Sequence, residues 1–314
     1  DELVRKGWHF ASRRTKEGAE RATECFQQAA IQCPGDFRAF EGLSTCYLMQ
    51  ATFGISAPIE VYPRFLESHN RAVEQGGLTP ELRCNRAHGL HMFEHRLPEA
   101  EEEFLRALQE KPSFATVHVR MALMCATLGQ LDRALEMVTQ GYQADPLLPT
   151  LPPVEVNVRI WRREYDKAIV IGSKAIELHP YLPISRANYA QALEFAGRLP
   201  EALAQYQLGS IMSGDLPWMR APEATCLAKL GRTSDARAIL DELEHRRETN
   251  YADALYVAVL RDALGERTEA FKELERAFDE NSAFLYSLNV DPKMDTFRDD
   301  RRFTRLEKSI KTHM

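Results

Sequence analysis

Ala100, Ala134, Ala168, Ala202, Ala236 and Ala270 recur at a fixed spacing of 34 residues. That period belongs to a solenoid of stacked helix–turn–helix units, and it constrains the fold more tightly than any local motif. Two further columns keep the same step. Five residues before each alanine stand His95, Gly129, Arg163, Gly197, Gly231 and Gly265, four of them glycine, the residue that ends a helix with least strain in the left-handed conformation. Seven residues after each alanine stand Ala107, Gly141, Ala175, Gly209, Leu243 and Ala277, mostly small, so two helices approach closely there. Pro112, Pro146 and Pro180 close three successive units where a helix must stop. The fold class is therefore all-α: an α-solenoid of about eight helical hairpins in a right-handed superhelix, with a C-terminal capping helix.

The units divide the chain into three parts. Residues 1–80 hold two irregular repeats, at about 1–36 and 37–80, the second lengthened by "QATFGISAPIEVYP". Residues 81–284 hold six regular repeats, beginning at 81, 115, 149, 183, 217 and 251. Residues 285–314 lack the columns; Phe297, Phe303, Leu306 and Ile310 fall on one side of a helix that would cover the last repeat, and "NVDPKMDTF" reads as its turn-rich connector. The apolar insertion in the second repeat is expected either to fold over the groove as a lid or to plug the first and third repeats. In the fifth repeat, Pro146, Pro149, Pro152 and Pro153 require the first helix to start late, opening the wall beside Asn157 and Trp161.

The glycine turn, the spaced alanine and the Asp-Pro of "YQADP" resemble the tetratricopeptide repeat over essentially the whole chain. The order "RRTKEGAERATECFQQAAIQCPGDFRAFEGLSTCYL", the long second repeat, "WRREYDKAIVIGSKAIELHP" and the ending "LNVDPKMDTFRDDRRFTRLEKSI" is similar to one bacterial class of such arrays. In that class the array usually follows a winged-helix DNA-binding domain, a serine/threonine kinase or a nucleotide cyclase. The resemblance implies the sensory or scaffold half of a larger signalling protein. Such an array is not an enzyme and needs no cofactor; the alternative is a freestanding scaffold for complex assembly.

In a two-helix solenoid the first helices line the concave face. The register places Asn85, Arg86, Phe93, Arg120, Asn157, Trp161, Asn188, Gln191, Phe195 and Trp218 on that groove as candidate ligand-binding residues. Amides can pair with the backbone of an extended peptide and aromatics can anchor it. Trp161 and Phe195, beside the shortened fifth-repeat helix, are expected to form the deepest pocket. The expected occupant is a peptide, protein or small effector, with a second copy of the chain, as a homo-oligomer, a further expected partner.

Other chemistry is weaker. His91–Glu94–His95 has the H-x-x-E-H spacing of a metal protease, with His88 on the same face, but these histidines fall on a packed helix seam and a turn, so no metal site is expected. No phosphate-binding glycine loop or nucleophile elbow is present. The net charge of −6, without a basic block, argues against direct nucleic-acid binding. No apolar run approaches the ~18 residues of a membrane span and no basic–apolar leader is seen. Six scattered cysteines read as free thiols, so the expected compartment is the cytoplasm, or the periplasm if a membrane span precedes the array.

Overall fold

The three columns act as the sequence requires. In the computed structural model, which describes residues 2–13, 15–247 and 251–313 and side chains as far as Lys308, all six column alanines are fully buried where two helices cross. All six turn-column residues have positive φ: 54° at His95, 74° at Gly129, 63° at Arg163, 78° at Gly197 and Gly231, and 80° at Gly265. The small-residue column is closed by the next repeat. A Cβ on Gly209 would lie 1.9 Å from Met219 Cε, and one on Gly141 would lie 2.5 Å from Leu151 Cδ2.

Among the described residues seventeen α-helices form and no strand. The hairpins are α1 (Glu2–Ala11) with α2 (Lys16–Gln32), α3 (Phe37–Thr52) with α4 (Pro58–Gly76), and α5 (Pro80–Met92) with α6 (Leu97–Glu110). Then come α7 (Ala115–Thr127) with α8 (Leu131–Ala144), α9 (Leu151–Trp161) with α10 (Tyr165–Leu178), and α11 (Pro183–Phe195) with α12 (Leu199–Ser213). The last pairs are α13 (Pro217–Lys229) with α14 (Thr233–Arg246) and α15 (Ala254–Ala263) with α16 (Arg267–Asp279). Helix α17 (Arg301–His313) follows two short 3-10 turns. As the prolines require, α9 starts late, with Pro152 and Pro153 in its first turn, where no intrahelical donor is lost.

The second repeat differs from expectation. Its excess residues lengthen the helices, so that α3 has 16 residues and α4 has 19, and the loop shrinks to 53–57. Pro58 sits at the α4 N-terminus, where a missing N–H costs nothing. The insertion is neither simply lid nor plug. Tyr62 packs on the third repeat, its ring tilted against Phe93 with centroids 4.9 Å apart. Ile55, at the loop tip, packs instead with the apolar cluster of the sixth to eighth repeats.

The C-terminal segment also does more than cap. Phe297, Phe303 and Leu306 are buried against α15 and α16, as expected of a cap, while Ile310 lies outside the described side chains. The connector before them crosses the concave face. Asn281 Nδ2 donates to the Phe93 carbonyl at 3.1 Å. The Tyr286 ring stands edge-on to His91 at 5.8 Å and to Trp161 at 6.4 Å. Arg163 holds Asp295 at 2.8 Å. The superhelix is thereby bridged from its third and fifth repeats to its last.

Candidate ligand-binding cavity

Bridging the concave face turns the groove into a cavity. The central chamber, about 230 Å³, is lined by the first helices of the second to eighth repeats and roofed by Phe284, Tyr286, Asp291 and Lys293. A second chamber of similar volume adjoins it and shares Ile184, Asn188, Gln191, Trp218, Tyr256 and Lys293.

The predicted residues separate into three groups. Arg120, Asn157, Trp161, Asn188, Gln191 and Trp218 line the central chamber. Phe195 lines the adjoining one, stacked on Tyr165 at 5.9 Å with Lys229 Nζ 5.6 Å from its centroid. Trp161 and Phe195 therefore do not share one pocket.

Asn85, Arg86 and Phe93 line neither chamber, and this corrects the register-based assignment. They occupy the right helical positions, but the lengthened second repeat lays Tyr62 over Arg86 and Phe93. Its hydroxyl donates to Glu94 Oε1 at 2.6 Å, and Arg86 donates to both Tyr62 and Glu94. Phe93 is buried in the N-terminal core. Asn85 is buried too, its amide spent on Thr45 and Arg120.

The amide stripe is thus half committed. Asn188 Nδ2 donates to the Pro153 carbonyl at 2.8 Å, bracing α11 against the proline-rich start of α9. Among the described residues, the side-chain amides of Asn157 and Gln191 form no hydrogen bond, and both face the chamber. The roof residues carry no repeat column and were not legible as groove lining. The only hint was the apolar density of "AFLYSLNV" in a stretch without helical columns.

The comparisons agree with this architecture. The tetratricopeptide-repeat family matches residues 183–207, the α11–α12 hairpin. No curated protein matches the chain. A human IFIT1 dimer with m7Gppp-AAAA is similar at TM-score 0.64 and 16% identity, over 88% of this chain and 71% of that one. A Rap protein complexed with competence and sporulation factor reaches 0.61 at 14% identity, over 100% of this chain and 99% of that one. Yeast Tom70 reaches 0.53 at 16% identity, over 99% and 67%. The fold is a tetratricopeptide-repeat solenoid.

Within that solenoid the H-x-x-E-H spacing does not assemble. His88 Nε2 lies 3.3 Å from Thr52 Oγ1 and His91 Nε2 lies 3.2 Å from Thr127 Oγ1, each bracing neighbouring first helices. Glu94 turns away to Arg86. Burial holds His91 down to about 3 and His88 well below the usual range, the latter helped by the nearby Arg120 charge. Both are therefore neutral packing groups at physiological pH. Among the described residues no helix of the tetratricopeptide-repeat solenoid is long and apolar enough to cross a membrane.

Proposed function

We propose that this repeat solenoid is a non-enzymatic recognition module that binds a peptide, a protein segment or a small effector in its central cavity. Binding would regulate an attached signalling domain, as in the bacterial regulators whose arrays it resembles, most often winged-helix transcription regulators. The observation that carries the reading is the chamber itself. Seven successive first helices and the C-terminal segment converge on it, and the Asn157 and Gln191 amides meet there with the Trp161 ring and no competing protein partner among the described residues. An occupant that touches several repeats at once biases the relative angles of all of them, which suits a sensor. The Rap complex supports the reading by analogy of fold. The m7Gppp-AAAA bound by IFIT1 transfers less well, because this chamber has too few cations to follow a phosphate chain.

The test is a thermal-shift screen against metabolites and peptides, with tryptophan fluorescence in parallel. A ligand at 100 times its Kd stabilises the fold by about 2.7 kcal/mol. The expected result is a saturable rise in Tm that Trp161→Ala abolishes. A hit unaffected by Trp161→Ala would move the site elsewhere. No hit, together with concentration-dependent light scattering, would favour the assembly scaffold.

A further inference from the structure

Arg120 is paired differently from most half-buried arginines of this chain. Arg86, Arg159, Arg220 and Arg261 each meet a carboxylate, on Glu94, Glu164, Glu223 and Glu266. Arg120 meets none among the described residues; Arg186 also meets none, donating instead to Gln205 Oε1 and Met212 Sδ, but it lies outside the chamber lining. Its Nη1 donates to Asn85 Oδ1 at 2.9 Å and to Cys84 Sγ at 3.2 Å. Asn85 is fixed in turn, its Nδ2 donating to Thr45 Oγ1 at 2.9 Å. Burial raises the Cys84 thiol, which keeps it a neutral acceptor. A relay of neutral groups from α3 through α5 therefore orients the guanidinium without offsetting its charge. With Nη1 committed, the Nε–Nη2 edge remains, and its two parallel N–H vectors match the two oxygens of a carboxylate.

The chamber's charge count agrees. Its charged lining groups are Arg120, Lys293 and Asp291. Lys293 and Asp291 pair at 3.0 Å, and Asp291 also accepts the Lys293 backbone N–H at 2.9 Å. One positive charge is left uncompensated, in a chain of net charge −6. A cation held against apolar walls carries a desolvation cost that an anionic occupant would relieve.

Two further lining groups are unsatisfied. Trp218 is 6% exposed with its Nε1–H unpartnered, and His88 is 5% exposed with its Nδ1 unpartnered. Buried polar atoms without partners are rare, and these border the same chamber as Arg120. Trp161, Tyr286, Trp218 and Tyr256 supply its aromatic walls. The volume of about 230 Å³ lies just below the ~300–1,000 Å³ usual for small-molecule sites, so the occupant is small.

We propose that the chamber binds a small carboxylic acid with a flat apolar body, its carboxylate on the Nε–Nη2 edge of Arg120 and its body between the Trp161 and Trp218 walls. This deepens the ligand-binding reading above and rests on it.

The test is a panel of small aromatic and aliphatic carboxylic acids, each beside its primary amide, with phenyl phosphate and short free peptides as further arms. Binding is read by tryptophan fluorescence and confirmed by calorimetry. Acids are expected to bind and their amides not, with Kd rising at least about tenfold in Arg120→Gln, the scale of a lost charge-assisted hydrogen bond. Asn85→Asp is the second variant. It sets a carboxylate against Arg120 from within, so it should weaken acid binding comparably while adding an ion pair to the fold.

Amides binding as tightly as acids, or acids indifferent to both substitutions, would overturn the proposal. So would phenyl phosphate outcompeting every carboxylate. If only peptides or neutral compounds bind, dependent on Trp161, the carboxylate assignment falls and the cavity remains a ligand site. If nothing in any arm binds, both fall.

Discussion

At the residue scale the fold rests on positions that tolerate almost no side chain. The column alanines sit at zero exposure, and the turn column needs a left-handed backbone whatever occupies it. Gly197 isolates that second demand, because a Cβ there would meet nothing within 4 Å. Gly197→Ala should therefore cost about 1–2 kcal/mol through φ alone, with no clash to relieve. Urea titration would measure it, and an unchanged midpoint would refute the backbone account. His95 and Arg163 keep side chains at the same strained turn. Arg163 has a visible return for it, since its guanidinium ties down Asp295 and the Val290 carbonyl.

At the element scale the hairpin is the repeating unit and the departures from it make the site. The lengthened α4 removes one stripe from the groove by covering it with Tyr62, and the shortened α9 exposes another. The segment between α16 and α17 converts the open groove into a chamber. Its attachment to the fifth repeat combines the Tyr286–Trp161 ring contact with an exposed ion pair worth at most about 1 kcal/mol. Arg163→Gly should relax the turn by about 1 kcal/mol while amides of residues 288–296 exchange with solvent severalfold faster. Unchanged exchange in that segment would mean that the Tyr286 and Asn281 contacts alone secure the roof.

At the scale of the whole molecule, the α3–α4 loop and the C-terminal segment connect repeats that a plain solenoid would keep apart. Ile55 packs with the cluster that contains Tyr206 and Leu260, and Gly54 lies close to Phe284 and Asp253. The buried histidines of the N-terminal half set the acid limit of this assembly. Burial depresses His69 to about 4, His91 to about 3, and His88 and His118 in the same direction, against about 6.5 when unfolded. The unfolded chain thus binds more protons than the folded one below pH ~6.5, so stability is full above that pH and declines as pH falls towards 4. At pH 5 each fully depressed histidine costs about 2 kcal/mol. Tm should drop between pH 7 and 5, and His91→Gln should flatten part of the slope. A pH-independent Tm over that range would contradict the neutral burial of these rings.

The repeat columns by themselves determined the all-α solenoid and the late start of α9, and they put Arg120, Asn157, Trp161, Asn188, Gln191 and Trp218 on first helices. Those properties follow from local helix geometry, which a 34-residue period encodes directly. Only the tertiary structure decided that Asn85, Arg86 and Phe93 are covered, that Trp161 and Phe195 face different chambers, and that the groove is roofed. Each of these depends on contacts between segments far apart in the chain, such as Asn281 on Phe93 or Arg163 on Asp295. Such contacts leave no period in the sequence. They are set by where helix lengths and turns deliver a side chain in space, and that sums over every repeat between the partners.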